Sequence, residues 1–165
     1  MTAPNLSRVA DAGPIIVLAK VGRLDVLTAG GRSVFITETV AREVEAGRDG
    51  DPARQALQSG WGTRTADVPL SEDLAAWNLD AGEQSVLALA RETGAVAVLD
   101  DGAGRKAARA LSVPHTGTLG LVIEAKRQGL VTSAVNLLRD LRQAGLYLPD
   151  DGILEAVLQT VGEEW

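Results

Sequence analysis

The sequence predicts an α/β fold, a three-layer α/β/α sandwich around a parallel sheet, and three observations support this. Short apolar runs rich in β-branched residues alternate with longer segments of helical periodicity. One run, residues 95–99, is continuously apolar, as expected for a strand buried on both faces of a parallel sheet. The 165 residues are 45% hydrophobic, which suffices for one compact core. We therefore expect a single domain over residues 1–165.

The first half of the chain begins with a predicted strand at residues 7–10, which ends at Asp11. Pro14 suits the first turn of the helix that follows, because its fixed φ is helical and its missing N–H is not needed there. A second strand is predicted at residues 34–36, and Thr39 is expected to cap the helix after it.

The pattern is weaker in the middle of the chain. Residues 46–52 are polar and glycine-rich, which predicts a loop. A short helix at residues 53–57 and an edge strand at residues 64–68 are expected to follow.

The second half has clearer elements. Asp80 begins a helix that ends at Gly94, and the apolar strand at residues 95–99 follows it. A later helix is expected to be capped by Thr118. The remaining predicted elements are a helix over about residues 104–111, a short strand near Val113, and helices near residues 119–128, 133–144 and 151–161.

The composition excludes several kinds of site. The chain has no cysteine, so it has no disulfide, thiolate zinc site or thiol nucleophile. Its one histidine, His115, excludes a multi-histidine metal site, and the chain has no Gly-x-Ser-x-Gly motif for acyl transfer. No apolar run approaches the roughly 18 residues of a membrane-spanning helix, and the N-terminus lacks a signal pattern. We therefore expect a cytoplasmic protein without a membrane partner.

The net charge of -6 argues against an extended basic surface for passive nucleic-acid binding. It does not exclude a metal-dependent nuclease. Carboxylates that bind a metal contribute negative charge, and the metal reverses the local sign.

Carboxylates follow two of the predicted strands. Asp11 comes after the first strand, and Asp100 and Asp101 come after the strand at residues 95–99. Open parallel sheets place their ligands beyond the carboxyl ends of the strands, and adjacent carboxylates repel unless a cation or proton lies between them. The same residues fit turns and helix caps, so the pattern leaves both interpretations open.

Further along the chain, Glu83 and Asp80 have the spacing of a capping box, at a position that also directs the Glu83 side chain towards the strand ends. Glu43 fits either a solvated helix face or the same site. Arg105 follows a glycine-rich segment that lacks the spacing of a P-loop, and it is a candidate contact for a phosphate.

Taken in order, these motifs resemble the PIN-domain superfamily, and most closely its VapC-related prokaryotic branch. The resemblance spans about residues 5–162. It rests on five segments: Asp11-x-Gly-Pro-Ile-Ile, Arg42-Glu43-Val44, Leu79-Asp80-x-Gly82-Glu83, Leu99-Asp100-Asp101 with Gly104-Arg105, and Gly117-Thr118-Leu119-Gly120. It implies an α/β/α sandwich with acidic residues at one edge of the sheet, RNA cleavage with Mg²⁺ or Mn²⁺ and, in many members, a toxin held by an antitoxin protein.

The resemblance implies that five carboxylates form the catalytic site: Asp11, Glu43, Glu83, Asp100 and Asp101. All except Glu43 would hold the metal, and Glu43 would ligate or orient the attacking water. Carboxylates without histidine or cysteine suit Mg²⁺ or Mn²⁺ better than zinc. Arg105 is the implied phosphate contact.

The leading hypothesis is therefore a Mg²⁺- or Mn²⁺-dependent endoribonuclease that acts on RNA, with an antitoxin protein as a partner. Residues 132–163 add two helical patterns to the usual core, which are expected to cover a dimer face or a partner groove, and we expect a homodimer. The alternative is a PIN-like binding module with weak or no nuclease activity, which the net charge of -6 favours. A phosphoryl-transfer enzyme on another doubly wound fold, such as a receiver domain, ranks third. Receiver domains need a lysine on a later strand, whereas Lys126 lies in the middle of a predicted helix.

Overall fold

The computed structural model describes residues 6–165, and in them a parallel sheet of five strands forms the centre of an α/β/α sandwich. The strands are β1 (Arg8–Ala10), β2 (Val34–Thr37), β3 (Thr63–Thr65), β4 (Val96–Val98) and β5 (His115–Thr116). Their order is β3-β2-β1-β4-β5, and every neighbouring pair is parallel. The fold class expected from the sequence is therefore confirmed.

This strand order places a topological switch point between β1 and β4. The chain leaves β1 towards β2 on one side, and it leaves β4 towards β5 on the other. The two connections therefore separate at the carboxyl edge of the sheet, which is where open parallel sheets form a ligand crevice. Asp11 and Asp100 lie at this crevice, directly after the two strands.

Nine α-helices flank the sheet within the described part of the chain: α1 (Ala12–Lys20), α2 (Glu38–Glu45), α3 (Pro52–Gln58), α4 (Glu72–Ala75), α5 (Ala81–Thr93), α6 (Gly102–Ala110), α7 (Thr118–Arg127), α8 (Ala134–Gln143) and α9 (Asp151–Gln159). Two short 3₁₀ turns, Leu24–Val26 and Ala29–Gly31, connect α1 to β2. None of the helices in residues 6–165 has both the length and the apolar character needed to cross a membrane.

Most predicted elements are confirmed, with boundaries shifted by one to three residues. The expectation that Thr39 caps α2 was wrong. Thr37 is the N-cap, and its hydroxyl oxygen accepts a hydrogen bond of 3.1 Å from the backbone N–H of Val40. The helix begins earlier because β2 ends directly in the extended residue that a cap requires. Thr39 instead contacts the carboxylate of Asp67 through its backbone N–H and its hydroxyl.

The two helical patterns predicted beyond residue 132 are confirmed as α8 and α9, and the last residues of the chain hold them in place. The carboxylate of Glu163 accepts hydrogen bonds from the backbone N–H groups of Ala134 (2.8 Å) and Val135 (3.1 Å), which open α8. The indole of Trp165 donates to Asp151 at 2.9 Å and lies under the guanidinium of Arg142, 4.6 Å from the ring centroid. The C-terminal segment therefore ties both helices to each other.

The central strand contains a buried arginine that the sequence pattern did not reveal as part of the core. Arg8 is only 2% exposed, yet its guanidinium has partners on two other elements. It donates to the carbonyl oxygens of Val26 (3.2 Å) and Leu27 (2.8 Å) and to the carboxylate of Glu124 on α7 (2.8 Å). A buried charge is tolerated only when it is paired and hydrogen-bonded in this way.

We therefore predict that Arg8→Ala lowers the free energy of unfolding by about 2 to 4 kcal/mol, because it leaves the carbonyls of Val26 and Leu27 without their guanidinium donor. Glu124 loses its shortest ion pair but keeps Gln128 and Arg32 as partners. Urea denaturation of both proteins measures the change. Arg109→Ala, at an exposed position on α6, serves as a control and is expected to change stability by less than about 0.5 kcal/mol. Equal stability of Arg8→Ala and the wild type would contradict the structural role of Arg8.

Candidate active site

Six carboxylates meet around the switch point of the sheet, and we refer to them as the carboxylate cluster: Asp11, Glu43, Asp80, Glu83, Asp100 and Asp101. They come from the ends of β1 and β4, from α2, and from the start of α5. The strand ends are tied together because the backbone N–H of Asp11 donates to the carbonyl oxygen of Val98 at 3.1 Å. The fold therefore fixes the distance between the two predicted carboxylate positions.

Asp11 follows β1 directly and lies among other carboxylates of the cluster. It is the N-cap of α1, and its carboxylate accepts a hydrogen bond of 2.9 Å from the backbone N–H of Ala12. Burial, opposed by that hydrogen bond and assisted by the negative charges of Asp80, Glu43 and Asp100, raises the pKa of Asp11 to about 6. The Asp11 side chain therefore both caps α1 and belongs to the carboxylate cluster.

Gly82, in the first turn of α5, lets Asp11 and Glu43 approach each other. A Cβ atom at this position would touch the carboxylate of Glu43, lying 3.1 Å from its Cδ, and would lie 3.3 Å from Oδ1 of Asp11. The absence of a side chain at Gly82 thus leaves room for two carboxylates that lie on different elements. Loss of hydration raises the pKa of Glu43, and the charge of Asp80 contributes to the same shift.

Glu83 forms the predicted capping box with Asp80. The backbone N–H of Glu83 donates to Asp80 at 2.8 Å, and the carboxylate of Glu83 accepts from the backbone N–H of Asp80 at 3.4 Å. Glu83 is nevertheless only 4% exposed, and burial followed by a hydrogen bond with Asp101 raises its pKa. The raised pKa favours the protonated form of Glu83 when no cation is present.

Gly104 on α6 makes the same kind of close approach to Glu83 that Gly82 makes to Glu43. A Cβ atom at Gly104 would lie 3.0 Å from Oε1 of Glu83. Two glycines, on α5 and on α6, therefore let helix backbone pack against the carboxylate cluster.

Asp100 holds the start of α7. Its two carboxylate oxygens accept from the backbone N–H (2.7 Å) and from the hydroxyl (2.6 Å) of Thr118. The expectation that Thr118 caps this helix was wrong: Gly117 occupies the N-cap position, and the cap is supplied by Asp100 from across the β4–β5 edge. Sequence patterns do not reveal this role because capping interactions are normally sought within three residues of the helix start.

Asp101 differs from its neighbour. It is exposed and occupies the N-cap position of α6, but its side chain makes no capping hydrogen bond. Its carboxyl group is instead paired with Glu83. Of these two adjacent aspartates, Asp100 therefore uses its carboxylate to bind a helix start, and Asp101 does not.

Asp80 is the member of the cluster that sequence reasoning did not include among the site residues. Its charge contributes to the raised pKa of Asp11, of Glu43 and of Glu83. Asp80 is part of the Leu79-Asp80-x-Gly-Glu motif, which could have indicated its place in the site. Its capping-box spacing with Glu83, however, was a sufficient explanation for an aspartate at this position.

Arg105 lies at the rim of the cluster on α6. Its Nη1 would be 3.5 Å from a Cβ atom at Gly117, beside Asp100. Within residues 6–165 its guanidinium has neither an ion pair nor a hydrogen bond, so it is available to an anion. His115 lies in β5 with Nδ1 3.0 Å from the carbonyl oxygen of Val113, which is consistent with a structural role.

The donor set fits a hard divalent cation in its chemistry. All candidate ligands are carboxylate oxygens, and their mutual repulsion is the situation that a bound cation relieves. In residues 6–165, however, no three histidine, aspartate or glutamate side chains are already arranged as a metal site. A cation would therefore require the carboxylates of Glu83 and Asp101 to exchange their present partners for the metal.

A family model described as a PIN domain matches residues 7–163, nearly the whole chain. The chain belongs to the PIN-domain family. PIN domains are generally nucleases, so the family assigns the protein to the hydrolases at the coarsest level. No curated protein matches the chain significantly. The VapC-related branch stays a prediction.

The raised pKa values predict how the stability of this PIN domain depends on pH. The folded metal-free protein takes up protons on Asp11 more readily than the unfolded chain, so stability is fully present below the unfolded pKa and is lost as the pH rises through about 6. We expect Asp11 to contribute an increase of about 1 to 2 kcal/mol to the free energy of unfolding in EDTA between about pH 8 and pH 5, and Glu83, whose pKa is raised to about 7, to add an increase of the same sign.

Urea denaturation at several pH values measures this dependence. Asp11→Asn is expected to be more stable than the wild type at about pH 8 and to show a flatter pH profile, since asparagine retains the capping interaction without the charge. A large loss of stability in Asp11→Asn would instead mean that capping is the dominant role of Asp11.

Proposed function

We propose that this PIN domain is a Mg²⁺- or Mn²⁺-dependent endoribonuclease that hydrolyses RNA phosphodiester bonds at the carboxylate cluster. One observation carries the proposal. In a chain of a nuclease family, carboxylates from four elements converge at the switch point of the sheet, and their proximity and burial raise the pKa of Asp11 to about 6. Such an arrangement lowers stability unless a cation compensates for it, as is typical of functional sites.

Asp11, Glu83 and Asp101 would hold the metal. Asp100, which the resemblance also makes a metal ligand, would line the site beside them while it fixes the start of α7 through Thr118. When bound, the cation lowers the pKa of a coordinated water and stabilises negative charge on the phosphate. Carboxylate oxygens as the only donors favour Mg²⁺ or Mn²⁺ over zinc.

Two further residues would act on the substrate itself. Glu43 would orient the attacking water, and its pKa, raised by burial and by the charge of Asp80, makes it a better proton acceptor than an ordinary glutamate. Arg105 would contact the phosphate, because it lies at the rim of the cluster and its guanidinium has no partner within the described residues. A planar guanidinium matches the geometry of phosphate oxygens.

The resemblance to the VapC-related branch extends this proposal to the biological setting. The protein would be the toxin of a toxin–antitoxin pair, active in the cytoplasm as a homodimer, with an antitoxin protein that covers the site. Inhibition of growth on expression of the wild type, and its absence with Asp11→Asn, would support the toxin role independently of the biochemical assay.

A second candidate is a PIN-like binding module without nuclease activity, and a specific observation favours it. Both carboxylate oxygens of Asp100 are already committed to Thr118, at 2.7 and 2.6 Å. The described residues also contain no ready-made group of three metal ligands. A module of this kind would bind RNA at the same edge without hydrolysing it.

The test is cleavage of single-stranded and structured RNAs with Mn²⁺, with Mg²⁺ and with EDTA. We expect cleavage by the wild type that EDTA abolishes, and a loss on the order of a hundredfold or more in Asp11→Asn. Asp140→Asn, at an exposed position on α8, is the matched control and should retain full activity. Folded wild-type protein that cleaves nothing with either metal would favour the binding module.

Gly82→Ala tests the geometry of the cluster separately from its charge. The added methyl group would displace the carboxylate of Glu43, so we expect metal-dependent cleavage to fall by about tenfold or more while the helix remains folded. Gly152→Ala is the matched control, because Gly152 occupies the same second position of α9 and its added Cβ would make only an ordinary contact at 3.5 Å. Equal activities of both variants would contradict the importance of this close approach.

A further inference from the structure

An open cleft of about 440 Å³ connects the carboxylate cluster to the C-terminal helices. Asp100 and Arg105 line the end that opens on the cluster, and Leu119 on α7 contributes to the wall. The opposite side is formed by Tyr147 and Ile153, which belong to the α8–α9 connection and to α9. The cleft is within the size range of small-molecule sites in proteins.

Tyr147 is the most conspicuous feature of this cleft. It is the only tyrosine in the chain, and it is 93% exposed. Its neighbours Leu146 and Leu148 are 7% and 8% exposed and belong to the hydrophobic core. The two buried leucines anchor the segment on both sides, and the tyrosine side chain between them is left in solvent.

Ile153 adds to the apolar surface beside Tyr147. It is 50% exposed, although it lies in the first turn of an amphipathic helix whose other large side chains pack inwards. Exposed apolar side chains grouped at the mouth of a cleft are typical of a binding surface. The tail that holds them is itself rigidly fastened through Glu163 and Trp165.

The lining of the cleft offers one group for each part of a nucleotide, a cation for the phosphate and an aromatic ring for the base. Arg105 supplies a cation beside the carboxylate cluster, where a phosphate would be. Tyr147 supplies an exposed aromatic ring on the part of the lining that the C-terminal segment contributes. Aromatic rings stack on nucleobases without strong sequence preference. The cleft would therefore admit the base while the backbone remains at the acidic edge of the sheet.

We propose that this cleft is a base-binding subsite of the PIN domain, in which Tyr147 stacks on a base of single-stranded RNA and Arg105 contacts the adjoining phosphate. The subsite rests on the proposed function for its role in cleavage, since it would position the scissile bond at the carboxylate cluster. Binding of the base does not depend on cleavage and is measured separately. A protein segment is the competing occupant of the same apolar surface.

The experiment measures binding of a fluorescein-labelled short oligoadenylate to the full-length Asp11→Asn protein in EDTA, where no cleavage occurs. We expect Tyr147→Ala in this background to weaken binding by about fivefold to a hundredfold, as removal of one stacking partner does. Tyr147→Phe keeps the ring and should bind within about twofold of the parent. Leu70→Ala, at another exposed apolar position (42% exposed) outside the cleft, is the matched control and should bind as the parent does.

A second probe identifies the base as the group that is recognised. The probe is a set of oligoadenylates that each lack one base, with the sugar–phosphate backbone intact. At one position of the set, the missing base should weaken binding to the parent and should abolish the difference between the parent and Tyr147→Ala. An unchanged affinity of Tyr147→Ala for every probe would overturn the subsite and leave a protein segment as the occupant of the cleft.

Cleavage by proteins with Asp11 intact separates this proposal from the nuclease proposal. We expect Tyr147→Ala to raise KM with a smaller effect on kcat, because stacking holds the substrate and takes no part in the bond-breaking step. If the wild type cleaves RNA but Tyr147→Ala changes neither KM nor affinity, the subsite is wrong and the nuclease stands. If Tyr147→Ala weakens binding of the base but neither metal supports cleavage by the wild type, the nuclease proposal is wrong and the subsite proposal stands.

Discussion

The mutual repulsion of carboxylates at the switch point of the sheet is the constraint on which the rest of the structure depends. β1 and β4 are neighbours, so the aspartates that follow them cannot separate without breaking the sheet. Burial, together with the charge that Asp80 adds at the start of α5, raises the pKa of Asp11 to about 6. The protein retains an arrangement that lowers its own stability at neutral pH, which is the usual signature of a functional site.

The scaffold holds this arrangement by two physical means. Gly82 and Gly104 bring helix backbone to within contact of Glu43 and Glu83, where any side chain would displace a carboxylate. Hydrogen bonds from Thr118 fix Asp100 and with it the start of α7. Because the same side chains cap helices and form the cluster, folding itself positions the proposed catalytic groups. The C-terminal helices extend the site sideways into a cleft that could not be recognised from their apolar pattern alone.

The sheet, most of the helices and five of the six carboxylates could be predicted from the sequence, since strand runs, strand-end aspartates and the motif order are local signals. Other features depend on distant contacts. Asp100 caps a helix that begins 18 residues later, and no local pattern encodes that distance. Asp80 fits a capping box completely, which concealed its place in the cluster. Arg8 resembles a surface residue until the partners that neutralise it, on two other elements, are seen.

The central claim is that a divalent cation relieves the repulsion within the carboxylate cluster, and calorimetric titration of Mn²⁺ into the full-length protein tests it most directly. Titration near pH 6 in buffers of different ionisation enthalpy gives the number of protons released on binding. We expect binding that releases about one proton, because the cation displaces protons held by Asp11 and Glu83, whose pKa values are raised to about 6 and about 7. We expect a smaller release by Asp11→Asn. Absence of Mn²⁺ binding, or binding without proton release, would contradict the central claim.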